Sequence, residues 1–471
     1  MTRSTLRATA VLVALATTGA SLLATATIAA AETPAETTVE AAASTLGLSS
    51  YALTELTASG DITSALKSAV STPGTSYQAN VVHLPAGSVI VSATIRPANH
   101  VYLVADPGTT ITWRGSDGNL LRFNAGMTGG VTGGTWDGAG RSSTTLVSLS
   151  GASVQLADLT VTDAGKHGIG AYEKSTLTLS NVTSSYNKAD GVHLEGSTLV
   201  ASGLRSVYNR RNGLQLSTRS VGTISASTLD RNGQAVKGST DGKTGHGLGV
   251  ASSTAVVYGT TMSRNKVCGA SLADAAKVEI SRDSHLDNNG RHGLGTTPGA
   301  IATITDSSLN HNGYNGALAS GKGTVVTLRH VTIDWAKKMG LSVPSGGAAT
   351  VSDSVITQGQ KHSISVSAKG KLTLLGGNTI SASRSGGITV SGRGSITISG
   401  AGNLVTGNRG DGLRITGSGT KGWIRASTRF AANRDSGIVV ASKARLWMVV
   451  CDFSGNKRTV AKQSGGKWYR I

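Results

Sequence analysis

One phrase recurs along this chain at a nearly fixed interval. It is an Asn, three residues, a Gly, then apolar residues one and three positions further on. The anchor falls at Gly168, Gly191, Gly213, Gly247, Gly269, Gly293, Gly316, Gly340, Ser363, Gly387, Gly412 and Gly437. The steps are 23, 22, 34, 22, 24, 23, 24, 23, 24, 25 and 25 residues. A repeat this regular decides the architecture before any single motif does.

Within each repeat the apolar residues alternate, as in Val192 with Leu194 and Leu413 with Ile415. Period two means a strand with one face inward. A second short strand follows, for example Leu177-Thr-Leu179, and a third apolar position such as Leu229 or Met262 precedes the Asn. Three short strands per repeat exclude a leucine-rich repeat, whose phrase is missing. Propeller blades need about 40 residues. A parallel β-solenoid remains, in which each coil buries its apolar face only by stacking on its neighbours. Twelve anchored coils and roughly three earlier ones predict a rod on the order of 70 Å at strand spacing. The Asn column (Asn187, Asn209, Asn265, Asn289, Asn312, Asn408 and Asn433) reads as a stacked amide ladder.

Residues 1–31 read as a secretory signal, with Arg3 and Arg7 before an apolar stretch and small residues before Glu32. Residues 32–54 read as a loose leader and 55–471 as one all-β solenoid domain. The helical spacing over 61–70 predicts an N-terminal capping helix over the first coil. Two cysteines exclude a disulfide scaffold and a cysteine-based zinc module. Cys268 and Cys451 lie seven coils apart, about 34 Å, which is too far to bond. The formal net charge of +19, in a chain expected to be secreted and extracellular, points to acidic glycans or an anionic cell wall as partners. No membrane association is expected after signal cleavage.

The N-terminal helix, His83-Leu-Pro-Ala-Gly87, Gly133-Gly-Thr-Trp-Asp137-Gly and the Asn-to-Gly coils resemble the pectin-lyase-like right-handed parallel β-helix proteins. The resemblance covers roughly residues 55–460. It implies a right-handed helix and a choice among polysaccharide lyases, epimerases, hydrolases and non-catalytic adhesins; fold alone does not select one. Gly245-His246-Gly247 is similar to a polygalacturonase motif. Hydrolysis needs two carboxylates across the bond, and the coils before that motif offer only Asp190. A lyase or epimerase acting on an acidic glycan is therefore favoured over a hydrolase, with a non-catalytic glycan-binding rod as the alternative.

Two features mark where a glycan would meet the rod. The 34-residue step carries an 11-residue insertion between Asn232 and Gly247, the place for a loop over one face. Cations recur two or three residues before the anchor. Lys166, Arg210, Lys266, Arg291, Arg384, Arg409 and Arg434 are the expected substrate-binding residues. The slot just before the anchor carries His167, Asp190, Asn212 and His246 on successive coils. With Lys188, Arg211 and Lys243 beside it, this is the expected catalytic region. Arg211 would neutralise a uronate carboxylate, Lys188 or Lys243 would be the base, His246 or His167 the acid, and Asp190 would orient a His. Strand alternation predicts that the slot points inward, unless the Asn turn breaks the pleat. No metal or cofactor is expected. Nucleic acid is disfavoured, because no aromatic column accompanies the basic one.

Overall fold

The computed structural model describes residues 34–57, 59–116, 118–141, 145–233 and 244–471. Strands wind into a parallel β-solenoid with three faces. An anchor sheet of 15 strands runs from Leu121–Phe123 to Arg458–Gln463 and contains every strand that follows a repeat anchor. A long sheet of 22 strands and a short one of 8 form the other faces. From Ile301–Ser308 and Val325–Ile333 onward the long sheet also covers the short sheet's face, reached from the short sheet by the isolated bridges Thr228–Thr261, Thr261–His285 and His285–Ser308. Each strand pairs in parallel with the equivalent strand one coil on, as Val192 does with Leu214 and Leu214 with Leu248.

This register stacks like on like. The first residue after each anchor is aliphatic and buried, through Ile169, Val192, Leu214, Leu248, Ala270, Leu294 and on to Ile438. Each such Leu, Ile or Val contributes roughly 1.5–3 kcal/mol of burial, and one continuous core results.

Helix α1 (Pro34–Thr45) and the strand Tyr51–Glu55 occupy much of the stretch expected to be a loose leader. Val39 and Leu46 pack with Val81, Tyr102 and Val104 in a small second core, and Tyr51–Glu55 pairs with Ala79–Leu84. The rod thus begins before residue 55. Helix α2 (Thr63–Ser71) lies at the expected capping position, with Leu66 and Val70 in the main core. Asp61 Oδ1 accepts the Thr63 N–H at 2.9 Å at its start. Asn80 Nδ2 donates to the carbonyls of Ala69 and Thr72 at its end, covering groups that helix ends leave unpaired. Among the described residues no helix is long and apolar enough to cross a membrane.

The Asn ladder is continuous from Asn187 to Asn312. Each Nδ2 donates to the next Oδ1, at 2.8 Å from Asn187 to Asn209 and 3.1–3.2 Å at the four later rungs. Asn232 is a full rung, although the insertion follows it. The insertion leaves and returns through Gly233 and Gly245, whose backbones touch; residues 234–243 between them lie outside the described residues. After three coils bearing Ala336, Gly359 and Ser383 in the Asn position, the ladder resumes through Asn408, Asn433 and Asn456.

Candidate functional site

Backbone bonds between coils align the slot residues. Gly168 N–H donates to Asp190 O, Gly191 to Asn212 O, and Gly213 to His246 O. Against the alternation rule, the slot side chains lie on the outer side of the anchor sheet. They meet the outward residue two places beyond the anchor, as Asp190 meets His193 and Asn212 meets Gln215. The Asn turn does break the pleat. The slot is nonetheless buried, with His167, Asp190, Asn212 and His246 all at most 7% exposed.

Asp190 is the hub. Its Oδ2 takes His193 Nδ1 at 2.9 Å and lies 3.3 Å from His167 Nδ1, while Oδ1 accepts the Asn212 N–H at 2.9 Å. Burial alone would raise its pKa, but the hydrogen bonds from His167 and His193 override this and hold the carboxyl well below the usual carboxylate range. Burial pushes His167 down, against the pull of Asp190. The two imidazoles stack with centroids 4.3 Å apart. His193 is the member with access to solvent, its side chain 19% exposed. Its Nδ1 bond to an ionised carboxylate assigns the proton to Nδ1 and leaves Nε2 basic. The donor atoms of His167, Asp190 and His193 all lie within 4.8 Å of one another, a spacing able to take a metal ion. Here that space is bridged by direct His–Asp contacts.

At the turn following these strands the surface opens into a cleft of about 710 Å³, whose lining includes Tyr172, Glu173, Lys174, Glu195 and Arg219 but not His193. The Tyr172 and His193 rings are 6.0 Å apart. The arrangement offers a His oriented by a carboxylate, a phenol, two further carboxylates and two cations.

The other expected catalytic residues are spread out. His246 is buried, and its Nδ1 accepts the Cys268 N–H at 3.3 Å. The Lys188 ammonium donates to the Gly140 carbonyl. Arg211 is exposed at the corner, and Lys243 lies outside the described residues. His193 escaped sequence reading because outward strand positions vary from coil to coil; the signal was its place three residues after Asp190. Cys268 and Cys451 are both free, and burial pushes the Cys268 thiol up to about 11.

The basic residues form two partial columns rather than one. Backbone bonds stack the residue after each ladder position as Lys188, Arg210, Gly233, Lys266, Gly290, Gly313, Lys337, Gln360, Arg384, Arg409 and Arg434. The next position stacks Lys166, Ala189, Arg211, Gly245, Val267, Arg291, Tyr314, Lys338 and Lys361. Cations follow one another most closely at Arg384, Arg409 and Arg434, which are exposed and form no ion pair among the described residues. Aromatics do accompany these columns, contrary to expectation. Tyr314 lies between Lys338 Nζ, 3.7 Å from its centroid, and Arg291 Cζ at 5.7 Å. Tyr186 and Tyr208 stack at 5.2 Å on the same corner.

The family model described as "Right handed beta helix region" matches residues 145–326 and 319–467. Among solved structures, the A-module of mannuronan C-5 epimerase AlgE4 from Azotobacter vinelandii is 14% identical, with 86% of this chain and 94% of that one covered and a TM-score of 0.41. PfbA, a surface adhesin of Streptococcus pneumoniae, is 13% identical, with 75% and 87% covered and a TM-score of 0.37. Pectate lyase Pel9A is 16% identical, with 72% of each chain covered and a TM-score of 0.31. No curated protein matches the chain in sequence.

Proposed function

The chain belongs to the right-handed β-helix family, and on that scaffold we propose that it is a secreted protein holding an acidic polysaccharide, a uronan or an anionic wall polymer, along its basic corner. The observation that carries this reading is the run of exposed, unpaired cations stacked coil upon coil at Arg384, Arg409 and Arg434. Like charges one strand spacing apart repel by nearly 1 kcal/mol per pair even at the dielectric of water. A folded chain carrying a net charge of +19 relieves that repulsion by taking a polyanion along the column. Replacing all three arginines with Ser is expected to weaken uronan binding about tenfold or more at low salt, with the difference fading as salt rises. The positions lie outside the core, so the melting temperature stays close to wild type. Equal binding by the triple variant at low salt would reduce the column to a solvated edge.

A specific observation favours a second reading, in which the held chain also reacts by elimination or epimerisation. His193, oriented by Asp190, lies 6.0 Å ring to ring from Tyr172, which lines a cleft together with Lys174 and Arg219. In either reaction a base removes the proton beside a uronate carboxylate. His193 Nε2 supplies the base, Asp190 acts as the positioning residue, Tyr172 supplies an acid, and the cations neutralise the carboxylate. Deuterium exchange at that sugar carbon, followed by NMR, and ultraviolet absorbance of an unsaturated product report the two outcomes. His193→Ala is expected to lower either rate about 10²- to 10⁴-fold. An undiminished rate in that variant would remove His193 from the chemistry.

A further inference from the structure

The residue just before each ladder position is held with a left-handed backbone, φ between 51° and 58° from Asp163 to Gln358. Gly and Asn adopt this conformation easily; bulky side chains do so at a cost. Farther along the rod the same column is small, with Ala382, Gly407 and Ala432. Over the coils between, it carries Tyr186, Tyr208, Arg231, Arg264, Asn288, His311 and Trp335, large at every coil but one. The fold therefore accepts small residues here, and the large ones are not required to build the turn. Nor are they all shielded: Tyr186 is 56% exposed and Trp335 40%. Arg231 lies over the Tyr208 ring, 5.5 Å from its centroid, and Tyr208 stacks on Tyr186.

From Arg231 to Trp335 this stripe shares two open clefts with Lys266 and Lys337 of the first cation column. One, of about 520 Å³, is lined by His311, Trp335, Lys337 and Gln360. The other, of about 370 Å³, includes Arg231, Arg264, Lys266 and Asn288. The first sets rings beside the Lys337 ammonium; the second sets guanidinium groups beside the Lys266 ammonium, with Asn265 and Asn288 in the same lining. An acidic polysaccharide matches both kinds of group, with carboxylates toward the cations and the apolar faces of its sugar rings toward the aromatics.

We propose that the stripe from Tyr186 to Trp335 is the sugar-recognising wall of a groove for an acidic polysaccharide, distinct in role from the charge-only column at Arg384, Arg409 and Arg434. The proposal rests on the glycan reading given above and adds the residues that tell a sugar chain from a bare polyanion. The test uses the full-length protein with Tyr186→Asn, Trp335→Asn and the pair together. Binding is measured against polygalacturonate, alginate, polyphosphate and an oligothymidylate at several salt concentrations. Each single change is expected to cost about tenfold in uronan affinity, by a factor that stays constant with salt, and to leave polyphosphate binding unchanged. Because Asn accepts the left-handed backbone, the melting temperature is expected to hold or rise.

Uronan affinity at the wild-type level in the double variant overturns the proposal. So does a fall in melting temperature that accompanies the loss, since the rings would then be structural. Tighter capture of the oligothymidylate than of either uronan, lost in the same variants, would assign the groove to nucleic acid and overturn it as well. If the wild type ignores every uronan, the glycan reading itself falls and the stripe with it. If the wild type binds and the variants bind equally, only the stripe falls.

Discussion

Gly293→Ala is expected to destabilise the protein by about 3 kcal/mol or more, although the glycine's φ is not in the left-handed region. A Cβ at this position would lie 2.7 Å from Gly316 O, 2.8 Å from Asn312 Nδ2 and 2.9 Å from Leu286 O. Two of these are backbone atoms fixed in the sheets, and the third is locked in the amide ladder. None can give way without breaking a hydrogen bond in an adjacent coil. The anchor is glycine because the next coil's Asn fills the space of its side chain. The same contact recurs at Gly168, Gly191, Gly213, Gly247 and Gly269, with the next Asn Nδ2 at 2.6–2.9 Å. Where the next coil carries Ala336 or Gly359 instead of Asn, the side chains of Ile333 and Ile356 fill the space over Gly316 and Gly340, while Ser363 stands under Ser383. Gly407→Ala is the control. Its φ of +63° is left-handed, but no atom lies within 4 Å of the added carbon, and Ala382 and Ala432 hold the same conformation on either side. Its effect is expected to stay within about 1 kcal/mol. Denaturant titration of both variants measures the contrast; a Gly293→Ala protein within about 0.5 kcal/mol of wild type would show that the stack relaxes.

Asn265→Ala is expected to cost about 4 kcal/mol. Asn265 Nδ2 donates to Leu229 O at 2.9 Å and to Asn289 Oδ1 at 3.2 Å. Its Oδ1 accepts both the backbone N–H and the Nδ2–H of Asn232, at 3.0 and 3.1 Å. Truncation removes a hydrogen-bond partner from each of three other residues, the Asn232 backbone N–H among them, at a position only 1% exposed. Position along the ladder sets the size of the loss. Asn456 is the last rung, partly exposed, and bonded to carbonyls of Phe430 and Phe453. Solvent reaches part of the surface its truncation uncovers, so Asn456→Ala is expected to cost less than half as much. Equal losses at the two positions, measured by thermal unfolding, would remove burial as the explanation.

The repeat, the inward strand positions and the Asn ladder were legible in the sequence, because like residues stack on like and the core must be apolar on every coil. Asn232 was legible as the repeat's Asn, from which the insertion is counted, but that it is a full rung rests on its bonds with Asn209 and Asn265. Asp190 and His167 were singled out by their shared slot, and the structure brings them within 3.3 Å of each other. His193 was missed because it stands at an outward position, where no pattern repeats. The direction of the slot was misjudged by applying strand alternation across a turn that interrupts it. The aromatic residues of the stripe went unseen because Tyr186, Tyr208 and Trp335 stand just before the ladder position, where residue type changes from coil to coil. Only the left-handed backbone they share makes them a column. The stretch 34–54 lacked strong periodicity, and its order comes from contacts with Val81 and Tyr102, far along the chain.

The junction at Gly233 and Gly245 separates two quantities that most folds keep linked, the length of a segment and the register of the strands after it. Asn232 bonds to Asn265 across 33 positions with the same atoms and nearly the same distances as Asn209 to Asn232 across 23. The coils on either side are therefore indifferent to how many residues pass between the two glycines. Closing a longer loop costs only about 0.6 kcal/mol for each doubling of length. The rod can exchange one insert for another at this point as a socket takes different fittings, and a change of specificity there need not disturb the scaffold that carries it.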